Sequence, residues 1–302
     1  MSILGLHCGR RMGNSEVLLK EALMGAEERS SADVEIIRLM DLTIKPCTGC
    51  EVCARKRSRG EEMECVQKDD HMSFLLEKLL RCDALILSTP VYILTPPGFL
   101  KVITDRVFRH AWAPLKPKVG ALICVGGTDW VNLALPLANL CLPRKIKIVD
   151  QQLVTYSAGP GQVLMNEEAM IRARKLGRKV GEAMSLPIEK VKYLGEDEET
   201  CPLCHSNLLR LRGEFVECPL CDIEGKIEIK DGRISVVYSD EELGKWRWGG
   251  SGTKRHHQEI RETHQAYDEN LPEIRERLKK YRAYQSCLVP PPLKKRNGPN
   301  DA

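Results

Sequence analysis

Five short apolar runs, at residues 2–8, 34–39, 84–91, 119–125 and 146–155, constrain the first part of this chain more than any other feature. They suit the strands of a buried parallel sheet, and segments with three-and-four apolar spacing separate them. Those segments, at 15–28, 71–82, 99–110, 130–140 and 167–184, read as amphipathic helices. Strand and helix in strict alternation predict an α/β fold, a doubly wound five-stranded parallel sheet in the order 2-1-3-4-5. Ligands of such sheets bind outside the strand C-termini. The loops leaving the runs are therefore where function is sought.

The pattern stops at Ser185-Leu186-Pro187, and the acidic stretch 196–199 is a solvated connection. This divides the chain into residues 1–190, carrying a cysteine loop at 45–66, a small module at 196–240 and a charged helical tail at 241–302. The tail ends in a proline-rich stretch, 290–299, with the composition of a mobile segment. No apolar run is long enough for a membrane span, and the first residues lack an export signal, so a cytoplasmic protein is expected. A net charge of +4, with eleven Lys or Arg against seven Asp or Glu from residue 254 onward, makes nucleic acid an unlikely partner.

Three loops carry the expected ligand site. The first strand ends in Cys8-Gly9-Arg10-Arg11-Met12-Gly13-Asn14-Ser15 and runs into a helix, where backbone amides, Arg10, Met12, Gly13, Asn14 and the Ser15 hydroxyl can face a phosphate. Gly-Asn-Ser before a helix is also an ordinary cap. The third strand leaves its core as Thr89-Pro90-Val91-Tyr92-Ile93, and the fourth ends in Gly126-Gly127-Thr128, two glycines that permit close approach to a planar ring.

These residues resemble the iron–sulfur flavoprotein and NADPH-dependent FMN reductase branch of the flavodoxin-like proteins. The resemblance rests on Arg10-Arg11-Met12-Gly13-Asn14-Ser15, Pro90-Val91-Tyr92 and Cys65-Val66-Gln67-Lys68-Asp69-Asp70, and it covers residues 1–184. It implies that the first loop holds the phosphate of FMN and the other two its isoalloxazine. It also implies a homodimer or homotetramer. One departure is clear: the family often begins this loop Gly-Ser-Pro-Arg, and here His7-Cys8-Gly9-Arg10 stands instead, with a thiol as a poor donor. FMN is expected rather than FAD, because no G-x-G-x-x-G fingerprint is present.

Eight of thirteen cysteines fall into two clusters, a metal-ligand pattern in a chain without an export signal. Cys47, Cys50 and Cys53 at two-residue spacings, with Cys65 farther on, fit a 4Fe-4S cluster. The eleven-residue spacer before Cys65 exceeds the family's usual one, and zinc or free thiols are the alternatives. Cys201-x2-Cys204 and Cys218-x2-Cys221 are two knuckles around a hairpin at 208–216, the pattern of a four-cysteine zinc ribbon. Rubredoxin-like iron is the rival there, disfavoured because His205 and Asp222 replace the glycines that usually follow its knuckles. Of the other five cysteines, which are scattered, Cys82, Cys124 and Cys141 sit in apolar stretches as small hydrophobes and receive no role, Cys8 and Cys287 being the outer two; His256, His257 and His264 read as a solvated helix face. The Trp246-Arg247-Trp248 patch is expected to pack on a partner or on the flavin domain.

The functional expectation is an FMN-dependent oxidoreductase exchanging electrons between FMN, the cluster and a donor or acceptor such as ferredoxin or NAD(P)H. The alternatives are an NAD(P)H-dependent FMN or quinone reductase without a working cluster, and a redox-sensing binding module. No catalytic acid, base or nucleophile is assigned.

Overall fold

The computed structural model describes residues 1–61, 63, 65–111, 115–143, 145–196, 200–248 and 250–284. Residues 197–199 of the acidic connection, Gly249, Cys287 and the proline-rich end lie outside them.

Strands β1 (Ser2–His7), β2 (Asp33–Arg38), β3 (Ala84–Pro90), β4 (Lys118–Val125) and β5 (Ile146–Val154) form one parallel sheet in the order β2-β1-β3-β4-β5, the flavodoxin-like order expected. Helices α1 (Asn14–Glu27) and α6 (Glu167–Ala183) cover one face; α3 (Met72–Arg81), α4 (Gly98–Ala111) and α5 (Ala134–Leu140) cover the other. The two-residue side-chain period divides β3 cleanly. Leu85 and Leu87 pack with Leu75, Leu79 and Ile103, while Ala84 and Ile86 pack with Leu18, Leu19 and Leu176.

Helices α1 and α6 cross so closely that three positions must lack a side chain. A β-carbon on Gly177 would lie 1.7 Å from the Ala22 carbonyl oxygen, one on Gly25 2.2 Å from that of Arg174, and one on Gly181 2.6 Å from that of Ala26. The close crossing brings Arg174 onto Glu21 and Glu28, and Arg178 onto Glu28. It fixes α1, whose first turn follows the loop leaving β1.

Three elements differ from the sequence expectation. Helix α5 begins at Ala134, because Val131 N–H turns back to the Asp129 carbonyl and the Thr128 hydroxyl accepts from the Trp130 amide. A short helix, α2 (Val52–Ser58), lies inside the cysteine loop. The module hairpin, β6 (Arg210–Arg212) and β7 (Phe215–Cys218), is widened by β8 (Ile223–Lys230) and β9 (Arg233–Val237) into a four-stranded antiparallel sheet. Asp231-Gly232, both at positive φ, forms the β8–β9 turn.

Residues Met1–Arg255 form one compact unit, and a second begins at His256. Helix α7 (Asp240–Gly244) follows the module; α8 (Gly250–Glu269) and α9 (Leu271–Ala283) complete the described chain. No described helix is long and apolar enough to cross a membrane.

Gly177→Ala is expected to destabilise the protein by about 1–3 kcal/mol or more, since the new methyl meets backbone that can yield only if the helices part. Urea denaturation measures this, and an unchanged midpoint would show the crossing to be looser than described.

Candidate functional site

The four strands β1, β3, β4 and β5 release their loops at one edge of the sheet. The first loop is organised by a buried carboxylate. Glu16 accepts from the Met12 amide at 2.9 Å, from Nη2 and Nε of Arg38 at 2.7 and 3.1 Å, and pairs with Lys20 at 2.9 Å. The Arg38 hydrogen bonds hold its carboxyl far below the ordinary range, and burial, which opposes ionisation, is outweighed. Met12 is thereby kept at positive φ, and the Gly13 amide bonds the Arg10 carbonyl. The first-turn amides of Asn14 and Ser15 face out of α1 and, with the helix dipole, suit a phosphate.

The side chains divide the work differently from the sequence reading. The Asn14 amide donates to the carbonyls of Ser157 and Gly159 and accepts from Val163 N–H, so it stitches the loop after β5 to the loop after β1. Ser15 Oγ lies 2.9 Å from His7 Nε2, and Ser88 Oγ donates to the Ser15 carbonyl. Cys8 belongs to the apolar core, where burial pushes its thiol up to about 12.

In the second loop the Val91 amide bonds the Val125 carbonyl, and Tyr92 and Thr95 close a turn with Ile93 and Leu94 at positive φ. The Thr89 hydroxyl donates to the carbonyl of Pro90 at 3.1 Å. In the third, a β-carbon on Gly126 would strike Val131 and one on Gly127 would crowd Ala158. The protein's own packing therefore calls for the first glycine, and the second sits in a tight but less exacting place. Thr128 lies just beyond them in the same loop, capping the Trp130 amide.

A fourth loop, Tyr156–Gly161, joins the same edge; its sequence signal is Ser157-Ala158-Gly159-Pro160-Gly161 directly after a strand. Around this edge Met12, Tyr92, Ile93, Trp130, Tyr156 and Met165 are exposed, Ile93 and Met165 each at 86%. Such a rim suits an apolar ligand better than water.

The cysteine loop is pinned by Arg106 of α4. Its buried guanidinium pairs with Asp70, donates to the carbonyls of Lys45 and Gln67 at 3.2 and 3.0 Å, and lies 3.7 Å from Cys65 Sγ. Burial disfavours the Asp70 charge, yet Arg106 and the amides of Lys45 and Met72 hold its carboxyl below the ordinary range. Cys53 is buried in α2, Cys47 and Cys65 are half-buried, and Cys50 is exposed. These four do not close into a single-ion site: among the described residues, the group of ligands near enough for that is Cys201, Cys204, Cys218 and Cys221.

Those four buried thiols lie within 4.8 Å of one another, with Cys204 and Cys218 at 3.7 Å. A tetrahedral ion with metal–sulfur bonds of about 2.3 Å requires sulfurs about 3.8 Å apart, so the group fits one metal ion. In each knuckle the residue after the second cysteine is left-handed: His205 at φ 57° and Asp222 at φ 62°, each returning its N–H to the first cysteine's carbonyl at 2.8 Å. The missing glycines therefore do not alter the backbone and do not discriminate against iron. His205 stacks on Tyr193 at 3.8 Å, and Asp222 pairs with Arg247. The tryptophan patch packs on the metal module: Trp248 donates to the Leu220 carbonyl at 2.6 Å and Trp246 joins its core.

The flavodoxin-like sheet and the loops at its strand ends are the frame on which flavin-dependent oxidoreductases are built. The comparisons place the chain further: residues 1–135 match the NADPH-dependent FMN reductase family, and an iron–sulfur flavoprotein of Archaeoglobus fulgidus is 33% identical, the match covering 58% of this chain and 76% of that protein. The chain belongs to this family of FMN-dependent oxidoreductases. Two further likenesses run nearly end to end. Flavone synthase cfoJ of Aspergillus candidus is 28% identical, covering 97% of this chain and 98% of that one. A solved flavone reductase, also 28% identical, superposes with a TM-score of 0.79 over 96% of this chain and 100% of its own.

The depressed Glu16 carboxyl contributes stability that is present above its unfolded value, about 4.3, and is lost as pH falls below it. Acid unfolding of Glu16→Gln, followed by circular dichroism, should start from lower stability at pH 7 and fall less steeply below pH about 4 than in the wild type.

Proposed function

We propose that the protein is an FMN-dependent oxidoreductase that exchanges two electrons between NAD(P)H and a planar conjugated aromatic molecule of the flavone kind. The observation that carries this reading is the end-to-end likeness to a flavone synthase and a flavone reductase, which includes the metal module and tail as well as the sheet. The exposed rim of Tyr92, Ile93, Trp130 and Tyr156 supports it, since a flat apolar acceptor needs such walls.

The residues present fit FMN. Outward amides at a helix N-terminus suit its phosphate, and three further loops meet at the same sheet edge. Bound there, FMN supplies hydride exchange in either direction and can also pass single electrons. The chain contributes binding and orientation. Arg10, Met12, Gly13, Asn14 and Ser15 shape the phosphate grip, Thr89–Ile93 and Gly126–Thr128 frame the ring, and the apolar rim excludes water from the reacting face. An FMN site open at the rim is compatible with a homodimer or homotetramer that completes its wall.

A second reading keeps Cys47, Cys50, Cys53 and Cys65 as ligands of a 4Fe-4S cluster trading electrons with ferredoxin. Its support is the cysteine spacing together with Arg106, a buried cation beside Cys65 that suits a negatively charged thiolate–cluster assembly. The four-cysteine module is proposed to hold zinc as a structural ion, the metal compensating for a small core.

Purified protein should contain FMN, oxidise NAD(P)H, and reduce a flavone anaerobically with hydride stoichiometry. Failure with every flavone tested, alongside rapid ferredoxin oxidation, overturns the first reading. Iron analysis and EPR then decide the second: Cys50→Ser should remove cluster iron and leave FMN, whereas a wild type without cluster iron after anaerobic reconstitution excludes it. Metal analysis of Cys218→Ser should show the loss of about one zinc per chain; one iron in its place would reassign the module.

A further inference from the structure

We infer that His7, which stands where the family's loop often has glycine, makes the flavin site selective for the 5′-phosphate by holding the hydroxyl of Ser15 in the orientation that an anion needs. This rests on the FMN reading of the same site.

His7 ends β1, is fully buried, and places Nε2 2.9 Å from Ser15 Oγ in the first turn of α1. Gly9 lies over the pair: a β-carbon there would come 2.9 Å from Ser15 Oγ, 3.0 Å from His7 Nε2 and 2.8 Å from Pro90 Cδ. The loop backbone is thus shaped around this contact. A serine hydroxyl has one proton, and a serine that gives it to a protein acceptor has none for a phosphate. An imidazole with Nε2–H donates to Oγ instead and leaves the serine proton free for the anion.

The surroundings support a neutral ring with that tautomer. Nδ1 has no hydrogen-bond partner, the Glu16 carboxylate standing 3.8 Å away. That carboxylate is already engaged by Arg38, Lys20 and the Met12 amide, so its charge is compensated without a second imidazole proton. The groups acting on the ring are Glu16 and Lys20 of α1, Arg38 of β2 and Asp41; burial is the largest influence and lowers its basicity. At neutral pH a single proton remains, and a phosphate beyond Ser15 draws it to Nε2, in line with the serine donor.

The test compares FMN with riboflavin, which shares the ring and lacks the phosphate. Apoprotein of the wild type, Ser15→Ala, His7→Asn, His7→Gln and the His7→Asn/Ser15→Ala double variant is titrated with each flavin by fluorescence quenching. Asn places its amide near the Nδ1 position, away from Ser15, whereas Gln reaches as far as Nε2. FMN affinity should fall about 10- to 100-fold in Ser15→Ala and His7→Asn, riboflavin affinity should stay within about twofold, and His7→Gln should recover most of the loss. The double variant should bind FMN no more weakly than the weaker single, because the two residues act as one unit. Parallel loss of riboflavin affinity, unchanged FMN affinity in His7→Asn, or multiplied losses in the double variant would overturn the inference and leave FMN as the cofactor. Should His7→Asn fail to fold, Ser15→Ala against His7→Gln carries the comparison, and a His7→Gln protein that binds FMN no better than Ser15→Ala rejects it. A wild type that binds neither flavin rejects the FMN reading and this inference with it.

Discussion

The site depends on one buried carboxylate. Glu16 lies in the first turn of α1, where the helix dipole favours negative charge, and it is closed in by Arg38 from β2, Lys20 from its own helix and the Met12 amide from the loop. A lone buried carboxylate would cost several kcal/mol, so the three partners are conditions for its presence there. Because they come from a strand, a helix and a loop, satisfying Glu16 also fixes those three relative to each other. The amides left facing outward are then pre-set for an anion and need little reordering when it binds.

Much of this was legible in the sequence. Apolar runs alternating with helical periods mark all five strands and the sheet order, most plainly at β1, β3 and β4, which are buried on both faces; β2 is largely exposed and β5 buries Asp150, Gln151 and Gln152, so these two are marked more by their place in the alternation. The short-range cysteine spacing of the module was equally legible, because C-x2-C geometry is local. What escaped notice depends on residues distant in the chain. Asn14 reads as a phosphate ligand from its neighbours, but its partners are Ser157, Gly159 and Val163, brought to it by the sheet. Gly126 reads as an opening for a ring, but Val131 already requires it. Arg106 looks like one more basic residue on a helix, and only the fold shows that it anchors the cysteine loop.

The two cysteine groups differ in physical character. The C-terminal four are buried and drawn together by two knuckles whose backbones are tied by returning N–H bonds, so their geometry exists in the chain itself. The N-terminal four span a loop with Gly49 and Glu51 in left-handed turns, a short helix and an exposed Cys50. A cubane spreads its ligands over a wider volume than one ion does, so thiols that do not converge on a point remain compatible with it. Arg106 bears on either case, since its guanidinium lies 3.7 Å from Cys65 Sγ and holds the carbonyls of Lys45 and Gln67 around that sulfur.

The metal module is joined to the sheet through the knuckle that carries two of the four sulfurs. Asn139 of α5 donates to the Cys204 carbonyl at 2.6 Å and Gln151 of β5 to the His205 carbonyl at 2.9 Å, while the Leu194 amide bonds the Val149 carbonyl along the edge of β5. An open sheet edge invites pairing with other chains, and here Leu194 takes up one of the acceptors along it. Asn139 and Gln151 are themselves buried, so a knuckle that opened on losing its metal would leave both amides without these acceptors, at about 1–3 kcal/mol each. An ion held by the four cysteines would thus be linked to the stability of the sheet through two hydrogen bonds, although the knuckle that would carry it packs on β5 and α5 rather than at the strand ends. The end-to-end likenesses, over 97% and 96% of the chain, take in module and sheet together, as two elements tied by buried hydrogen bonds would be kept.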